Sequence, residues 1–200
     1  KLWDLIVEHA QKTGEPGLIF LDTINQDNPL PKQGEIHCTN PCGEVPLFDF
    51  ESCNLGSINL TKMVVHDEKK NEIDWNKLEK TILIAIRFLD NVISSNHYLL
   101  PNIKEITLAN RKIGLGVMGW AELLIILGIP YASEKAVELA EVLMKFIQKK
   151  SHEASGNLAQ TRGCFPSWKA SRYAPNTLLR NATCNSIAPT GSISVIADTS

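Results

Sequence analysis

The 200-residue sequence has almost no charge imbalance: 20 Lys and Arg stand against 22 Asp and Glu, a formal charge of -2 with a pI near 6.2. A protein that tracks a polyanion needs a basic field, so polymeric DNA and RNA are excluded as expected partners. No apolar run approaches the ~18 residues that a membrane span requires, and the start, Lys1-Leu2-Trp3-Asp4, lacks both an initiator Met and the charged-then-apolar layout of a secretion signal. No membrane partner is expected, the expected compartment is the cytoplasm, and the chain reads as truncated at its front. Cysteines number only five, too scattered and too odd for a disulfide framework, which suits a reducing compartment where thiols pack or do chemistry. Repeats, low-complexity tracts and flexible linkers are also missing. What is there, 44% hydrophobic and 21% charged residues, is a globular composition with enough apolar material for a sizeable core.

Apolar residues at helical spacing (Leu2, Leu5, Ile6, Ala10) predict a helix to Lys12, which Thr13-Gly14-Glu15-Pro16-Gly17 stops. Leu18 to Leu21 is a short apolar run. From Asn25 to Glu51, Pro29, Pro31, Pro41 and Pro46 with Gly34 and Gly43 exclude a long helix and predict loops with short extended pieces. Ser57 to Leu60 reads as a strand and His66 to Glu72 as a solvated excursion. Asp74 caps a predicted helix from Trp75 to Ser95, a second covers Met118 to Leu127 and stops at Gly128, and a third, capped by Ser133, runs from Glu134 to about Ala159. Thr161 to Pro166 is a turn region. Asn185 to Ile196 reads as strand, turn, then a buried strand or helix start. Long helices among short strands predict an α/β fold.

Within the loop-rich stretch, Asn40, Cys42 and Glu44 bring an amide, a thiol and a carboxylate to alternate positions, separated by Pro41 and Gly43. An extended backbone would put all three on one face at roughly 7 Å intervals, lined up toward one small molecule. A nucleophilic cysteine needs a cation, a His or a helix N-terminus to stabilise its thiolate, and the charged neighbour of Cys42 is instead a carboxylate that opposes ionisation. A neutral thiol beside an amide and a carboxylate base suits hydrogen-atom transfer, with the carboxylate handling a hydroxyl proton. Two other readings stand beside this one. A loop cysteine can simply pack, and His37, Cys38, Cys42 and Cys53 have zinc-ligand residue types, although Pro41 would strain a Cys38/Cys42 chelate.

Thr39-Asn40-Pro41-Cys42-Gly43-Glu44 and Glu51-Ser52-Cys53-Asn54-Leu55-Gly56-Ser57-Ile58-Asn59-Leu60 resemble the finger-loop region of the ribonucleotide reductase large chain. Arg111-Lys112-Ile113-Gly114-Leu115-Gly116-Val117-Met118-Gly119 and Ala188-Pro189-Thr190-Gly191-Ser192-Ile193-Ser194 match the same family in the same order. The Asn-Pro-Cys-Gly-Glu wording is most similar to the class II branch, which implies adenosylcobalamin as cofactor; a class I large subunit with a separate metal-containing radical subunit is the alternative. By this resemblance Cys42 becomes a thiyl radical that removes the ribose 3′-hydrogen. Glu44 takes the 3′-hydroxyl proton, Asn40 holds the ribose hydroxyls, and the 2′-hydroxyl leaves as water. Cys53 corresponds to one member of the redox-active pair, its partner lying outside the chain. Pro189, Thr190, Gly191, Ser192, Ile193 and Ser194 correspond to the substrate-diphosphate site, joined in substrate binding by Asn40 and Glu44. Cys38, Cys164 and Cys184 read as packed thiols. No metal ligand is assigned.

The resemblance further implies a fragment of the family's catalytic domain over residues 1–200, part of a ten-stranded α/β barrel with a central finger loop. The expected partners are a ribonucleotide substrate, a thioredoxin-type reductant and a second copy in a homodimer. Gly114-Leu115-Gly116-Val117-Met118-Gly119 also satisfies the dinucleotide-binding G-x-G-x-x-G, which makes a nicotinamide dehydrogenase a rival alongside a non-catalytic zinc module. No hydrophobic strand precedes these glycines and no second strand ending in an acid follows the helix, so they are read as sites of close helix packing.

Overall fold

The computed structural model describes residues 1–66 and 71–200. Helices α1 (Leu2–Thr13) and α2 (Leu21–Gln26) open the chain with no buried side chain, and Gly14 ends α1 by taking the left-handed conformation, its N–H donating to the Ala10 carbonyl at 2.9 Å. A two-residue hairpin follows, β1 (Cys38–Thr39) against β2 (Pro46–Leu47). After it come strand β3 (Asn54–Asn59) and a second hairpin of β4 (Val64–His66) with β5 (Asn71–Ile73). The excursion expected from His66 to Glu72 is strand at its described ends, and its residues 67–70 lie outside the described residues.

Helix α3 (Trp75–Ser95) begins where expected, the Asp74 carboxylate accepting from the Lys77 N–H at 2.9 Å. Its Leu78, Ile82, Ile86, Leu89 and Ile93 form one buried stripe at three- and four-residue spacing. The stripe packs on β3, on β6 (Ile113–Met118) and on α6 (Glu134–Arg162), in a core with Ile58, Leu115, Leu143 and Ile147. Each of these side chains contributes on the order of 1.5–3 kcal/mol by leaving water. The Ser133 hydroxyl caps α6 through the Ala136 N–H at 3.3 Å, and the helix continues to Arg162, past the expected Ala159.

Strands β3 and β6 run parallel in register from Asn54 opposite Ile113 to Asn59 opposite Met118. The crossover between them contains α3 and α4 (Pro101–Asn110). Sequence periodicity missed α4, which is weakly amphipathic and starts with Pro101 in its first turn, where proline's missing N–H costs nothing. Segment 183–186 extends the sheet on the other side of β6: Leu115 donates to the Cys184 carbonyl at 2.8 Å and Ser186 to the Leu115 carbonyl at 3.3 Å, a parallel bridge between Leu115 and Asn185. This segment also leans on α6, where Ser155 accepts from the Arg180 and Asn181 N–H groups at 3.1 Å each and Ser151 accepts from Asn185 at 3.0 Å. Buried small residues let the backbone approach this helix.

The glycine-rich motif is corrected by the fold. Gly114 and Gly116 lie inside β6, not at a helix contact, and the helix expected from Met118 starts only at α5 (Trp120–Leu127). A Cβ on Gly116 would stand 2.2 Å from the Ser186 carbonyl oxygen, and one on Gly114 2.8 Å from the Ser186 Cβ. These glycines make room for segment 183–186. The last element, α7 (Gly191–Ile196), resolves the expected strand or helix start as a helix, with only Ser194 buried. Among the described residues, no helix is long and apolar enough to cross a membrane.

Candidate active site

The loop joining β1 and β2 carries Asn40, Cys42 and Glu44. It is a turn, which corrects the extended geometry expected from alternate spacing. Gly43, at φ 84°, donates to the Asn40 carbonyl at 3.0 Å, Asn40 donates to the Val45 carbonyl at 3.2 Å, and Val45 donates to the Asn40 side-chain oxygen at 3.0 Å. Pro41 and Gly43 favour this compact turn: proline fixes φ inside it and glycine accepts positive φ. Cys42 is exposed, while Asn40 and Glu44 are half-buried. The Glu44 Oε2 atom is buried with no hydrogen-bond partner among the described residues. An unpaired buried carboxylate oxygen is costly, and such an oxygen is suited to accept a proton from a hydroxyl that reaches it.

Beneath the hairpin lies a closed polar knot. Lys112, 1% exposed, donates to Glu51 Oε2 at 2.7 Å and to the Pro46 carbonyl at 3.2 Å, and sits 4.8 Å from the centre of the Phe48 ring. Glu51 also accepts from the Phe48 N–H at 2.9 Å and from Asn110 at 2.7 Å. Both residues stand inside stretches that match the family, yet neither was given a role from the sequence, since a Lys or Glu with no charged partner nearby in the chain reads as a surface charge. Their position was the only clue: Glu51 and Lys112 stand just ahead of two strands, β3 and β6, whose first residues pair.

Cys53 sits beside this knot, immediately before β3. Burial pushes its thiol up to about 12, the Lys112 ammonium opposes that, and the Glu51 and Glu44 carboxylates reinforce it. The shift makes Cys53 a protonated thiol across the neutral range. The other cysteines fit the packing reading in part: Cys184 is buried, while Cys38 and Cys164 are half-buried, Cys38 donating to the Leu47 carbonyl at 3.2 Å. His37, Cys38, Cys42 and Cys53 are not drawn together; among the described residues no group of three or more His, Cys, Asp or Glu side chains could hold a metal ion.

Thr190, at φ 58°, turns the chain into α7, and Ser194 returns its N–H to the Thr190 carbonyl at 2.8 Å. Thr190 lines a cavity of about 420 Å³ at the C-terminal end of β6, with Val117, Met118, Trp120, Tyr131 and Ile187. Asn40, Cys42 and Glu44 do not line it. The Asn40–Glu44 turn is tied instead to the segment just before Pro189, the Ser186 hydroxyl donating to the Glu44 main-chain carbonyl at 2.9 Å.

Residues 1–179 match the family described as the ribonucleotide reductase barrel domain. The chain belongs to the ribonucleotide reductase family. The vitamin B12-dependent ribonucleoside-diphosphate reductase of Mycobacterium tuberculosis H37Rv is 54% identical over 199 residues, covering 100% of this chain and 28% of that protein. Its counterpart in Thermoplasma acidophilum is 52% identical over 98% of this chain and 25% of that protein. The ribonucleoside-diphosphate reductase subunit alpha of Chlamydia trachomatis is 40% identical over 86% of this chain and 16% of that protein. The chain thus spans between a sixth and somewhat over a quarter of the relatives it matches. Among solved structures, the Actinobacillus ureae class Id ribonucleotide reductase alpha subunit superposes with a TM-score of 0.81 at 31% identity, over 98% of this chain and 37% of that one. Parallel β3 and β6 with their helical crossover are therefore part of the α/β barrel-type fold of the ribonucleotide reductase family.

Proposed function

We propose that residues 1–200 are a portion of the catalytic barrel of a reductase that converts ribonucleoside diphosphates or triphosphates to deoxyribonucleotides for DNA synthesis through a thiyl radical on Cys42. The barrel is ten-stranded, and the β1–β2 hairpin is its central finger loop. The observation that carries the reading is the buried, unpartnered Glu44 Oε2 on the same turn as an exposed thiol.

Cys42 removes the 3′-hydrogen while Glu44 takes the 3′-hydroxyl proton and Asn40 holds the ribose hydroxyls. The 2′-hydroxyl then leaves as water. Cys53 and a partner thiol outside the chain supply two electrons and two protons and end as a disulfide, and C3′ takes its hydrogen back from Cys42 so that the radical is regenerated. A thioredoxin-type reductant restores the pair. Pro189, Thr190, Gly191, Ser192, Ile193 and Ser194 hold the substrate phosphates. The full-length enzyme is a cytoplasmic homodimer.

Adenosylcobalamin is the proposed radical source, and Cys42 is the residue of this chain that would receive the radical. When bound, it supplies an adenosyl radical. The names and identities of the mycobacterial and Thermoplasma relatives support this assignment. A class I large subunit, with its radical from a separate metal-containing protein, is the second reading, favoured by the likeness to the class Id alpha subunit.

The test is deoxyribonucleotide formation by the full-length enzyme with and without adenosylcobalamin, alongside Cys42→Ser. Turnover that requires the cofactor and vanishes in Cys42→Ser, with nucleotide binding retained, is the expected result. Turnover retained in Cys42→Ser defeats the proposal, and turnover that needs a metal-containing subunit instead of cobalamin establishes the second reading.

A further inference from the structure

We propose that Ser186 is a positioning residue for the reaction, holding Glu44 in place from the strand segment that leads into the 189–194 turn. The inference rests on the proposed function, because it assigns a role to the base of that reaction.

Three observations converge on Ser186. First, its hydroxyl donates to the Glu44 main-chain carbonyl at 2.9 Å across 142 residues of sequence. Among the described residues, the other hydrogen bonds of segment 40–45 stay within the hairpin. Second, Glu44 has no side-chain bond to fix its Oε2. The placement of that carboxylate oxygen therefore depends on where the backbone is held; Lys112 anchors the hairpin at the Pro46 carbonyl, two residues on, and Ser186 holds the Glu44 carbonyl itself. Third, Ser186 is itself fixed. Its N–H donates to the Leu115 carbonyl at 3.3 Å, and it runs beside β6 where Gly114 and Gly116 leave no side chain in its way.

The chemistry follows from the geometry. A base contributes only when it lies within hydrogen-bond reach of the proton it takes, and a carboxylate displaced with its loop loses that reach while substrate still binds. Ser186 precedes the candidate phosphate-binding turn by three positions, so one continuous stretch of chain both meets the substrate phosphates and sets the base on the ribose. The glycine pair that resembled a nucleotide-binding motif serves this end by admitting Ser186 to the sheet.

The test compares Ser186→Ala and Ser186→Thr in the full-length enzyme, with a 3′-deuterated substrate and Cys42→Ser assayed in parallel. Ser186→Ala is expected to lower kcat about three- to tenfold, the span of one hydrogen bond, while leaving KM within about twofold and raising the 3′-deuterium isotope effect on kcat. Ser186→Thr keeps the donor and is expected to retain kcat. Unchanged kcat in Ser186→Ala overturns the inference, as does a rise in KM alone, an equal fall in Ser186→Thr, or a loss of rate with an unchanged isotope effect. If Cys42→Ser remains active, the underlying reading fails whatever Ser186 does; if it is inactive and Ser186→Ala matches wild type, only the role of Ser186 fails.

Discussion

Glu51 and Lys112, 61 residues apart, meet at 2.7 Å with side chains 0% and 1% exposed. They join the approach to β3 with the approach to β6 and, through the Pro46 carbonyl and the Phe48 N–H, hold the strand that follows the Asn40–Glu44 turn. A loop rich in proline and glycine has few helical or sheet bonds of its own, so an ion pair with satisfied hydrogen bonds beneath it substitutes for them.

Lys112→Met should therefore destabilise the protein by about 3–5 kcal/mol, because it leaves Glu51 charged and unpaired in the interior. The double variant Glu51→Gln/Lys112→Met removes both charges and should recover more than half of that loss. Urea denaturation of the single and double variants measures both effects. A single variant as stable as the wild type would show that the pair is solvated in solution.

Much of this arrangement was legible in the sequence, and the limits are instructive. The α3 stripe and the Asp74 and Ser133 caps follow directly from spacing and side-chain chemistry, and they appear where expected. Asn40, Cys42 and Glu44 were recognisable as chemistry, but not as a turn, because alternate spacing describes an extended strand only if the backbone is extended. Strand β6 was hidden because two of its residues are glycines, whose reason is Ser186 about 70 residues away. Long-range packing of this kind leaves no periodicity in the local sequence. Glu51 and Lys112 escaped for the same reason, since burial of a charge is decided by a partner elsewhere in the chain.

Gly116→Ala should cost about 1–3 kcal/mol, since its Cβ would press on the Ser186 carbonyl at 2.2 Å and a backbone atom cannot rotate away. Gly17→Ala is the control: nothing lies within 4 Å of the point where its Cβ would stand, and a change within about 0.5 kcal/mol is expected. Thermal unfolding of the two variants distinguishes them. Equal melting temperatures would mean that segment 183–186 does not run so close to β6.

Cysteine labelling should separate the exposed thiol from the buried ones. Burial pushes both Cys53 and Cys184 up to about 12, so neither is appreciably ionised at pH 8.5, whereas Cys42 is exposed. Because folding raises these pKa values, the stability they contribute is complete below the unfolded value near 8.5 and is lost as pH rises toward about 12. Iodoacetamide at pH 8.5, followed by peptide mass spectrometry, should modify Cys42 well before Cys53 or Cys184, and the stability measured by urea denaturation should fall progressively as the pH is raised from about 9 toward about 12. Labelling of Cys53 as fast as Cys42 in the folded protein contradicts the buried placement.

Asp90 is the second buried carboxylate on which the site depends, and it reaches the base indirectly. Its Oδ1 accepts from Arg111 at 2.7 and 2.9 Å and from Asn181 at 3.2 Å, its Oδ2 accepts from Arg162 at 3.0 Å, and Arg180 Nε lies 3.5 Å away. One carboxylate thus faces three guanidinium groups, of which that of Arg111 is 4% exposed and that of Arg162 32%. Asp90→Asn removes the negative charge and leaves Arg111 buried without a counter-ion, for an expected cost of about 3–5 kcal/mol. Arg162→Gln should cost about 1 kcal/mol or less, because its partner keeps Arg111 and its own head is partly in water. Arg180 and Asn181 begin the stretch that leads into segment 183–186 beside β6, so the loss in Asp90→Asn should be concentrated there. Hydrogen exchange is therefore expected to accelerate in amides 180–186 of Asp90→Asn more than in those of β3. Uniform acceleration would mean that Asp90 supports the core as a whole and not the segment that delivers Ser186 to Glu44.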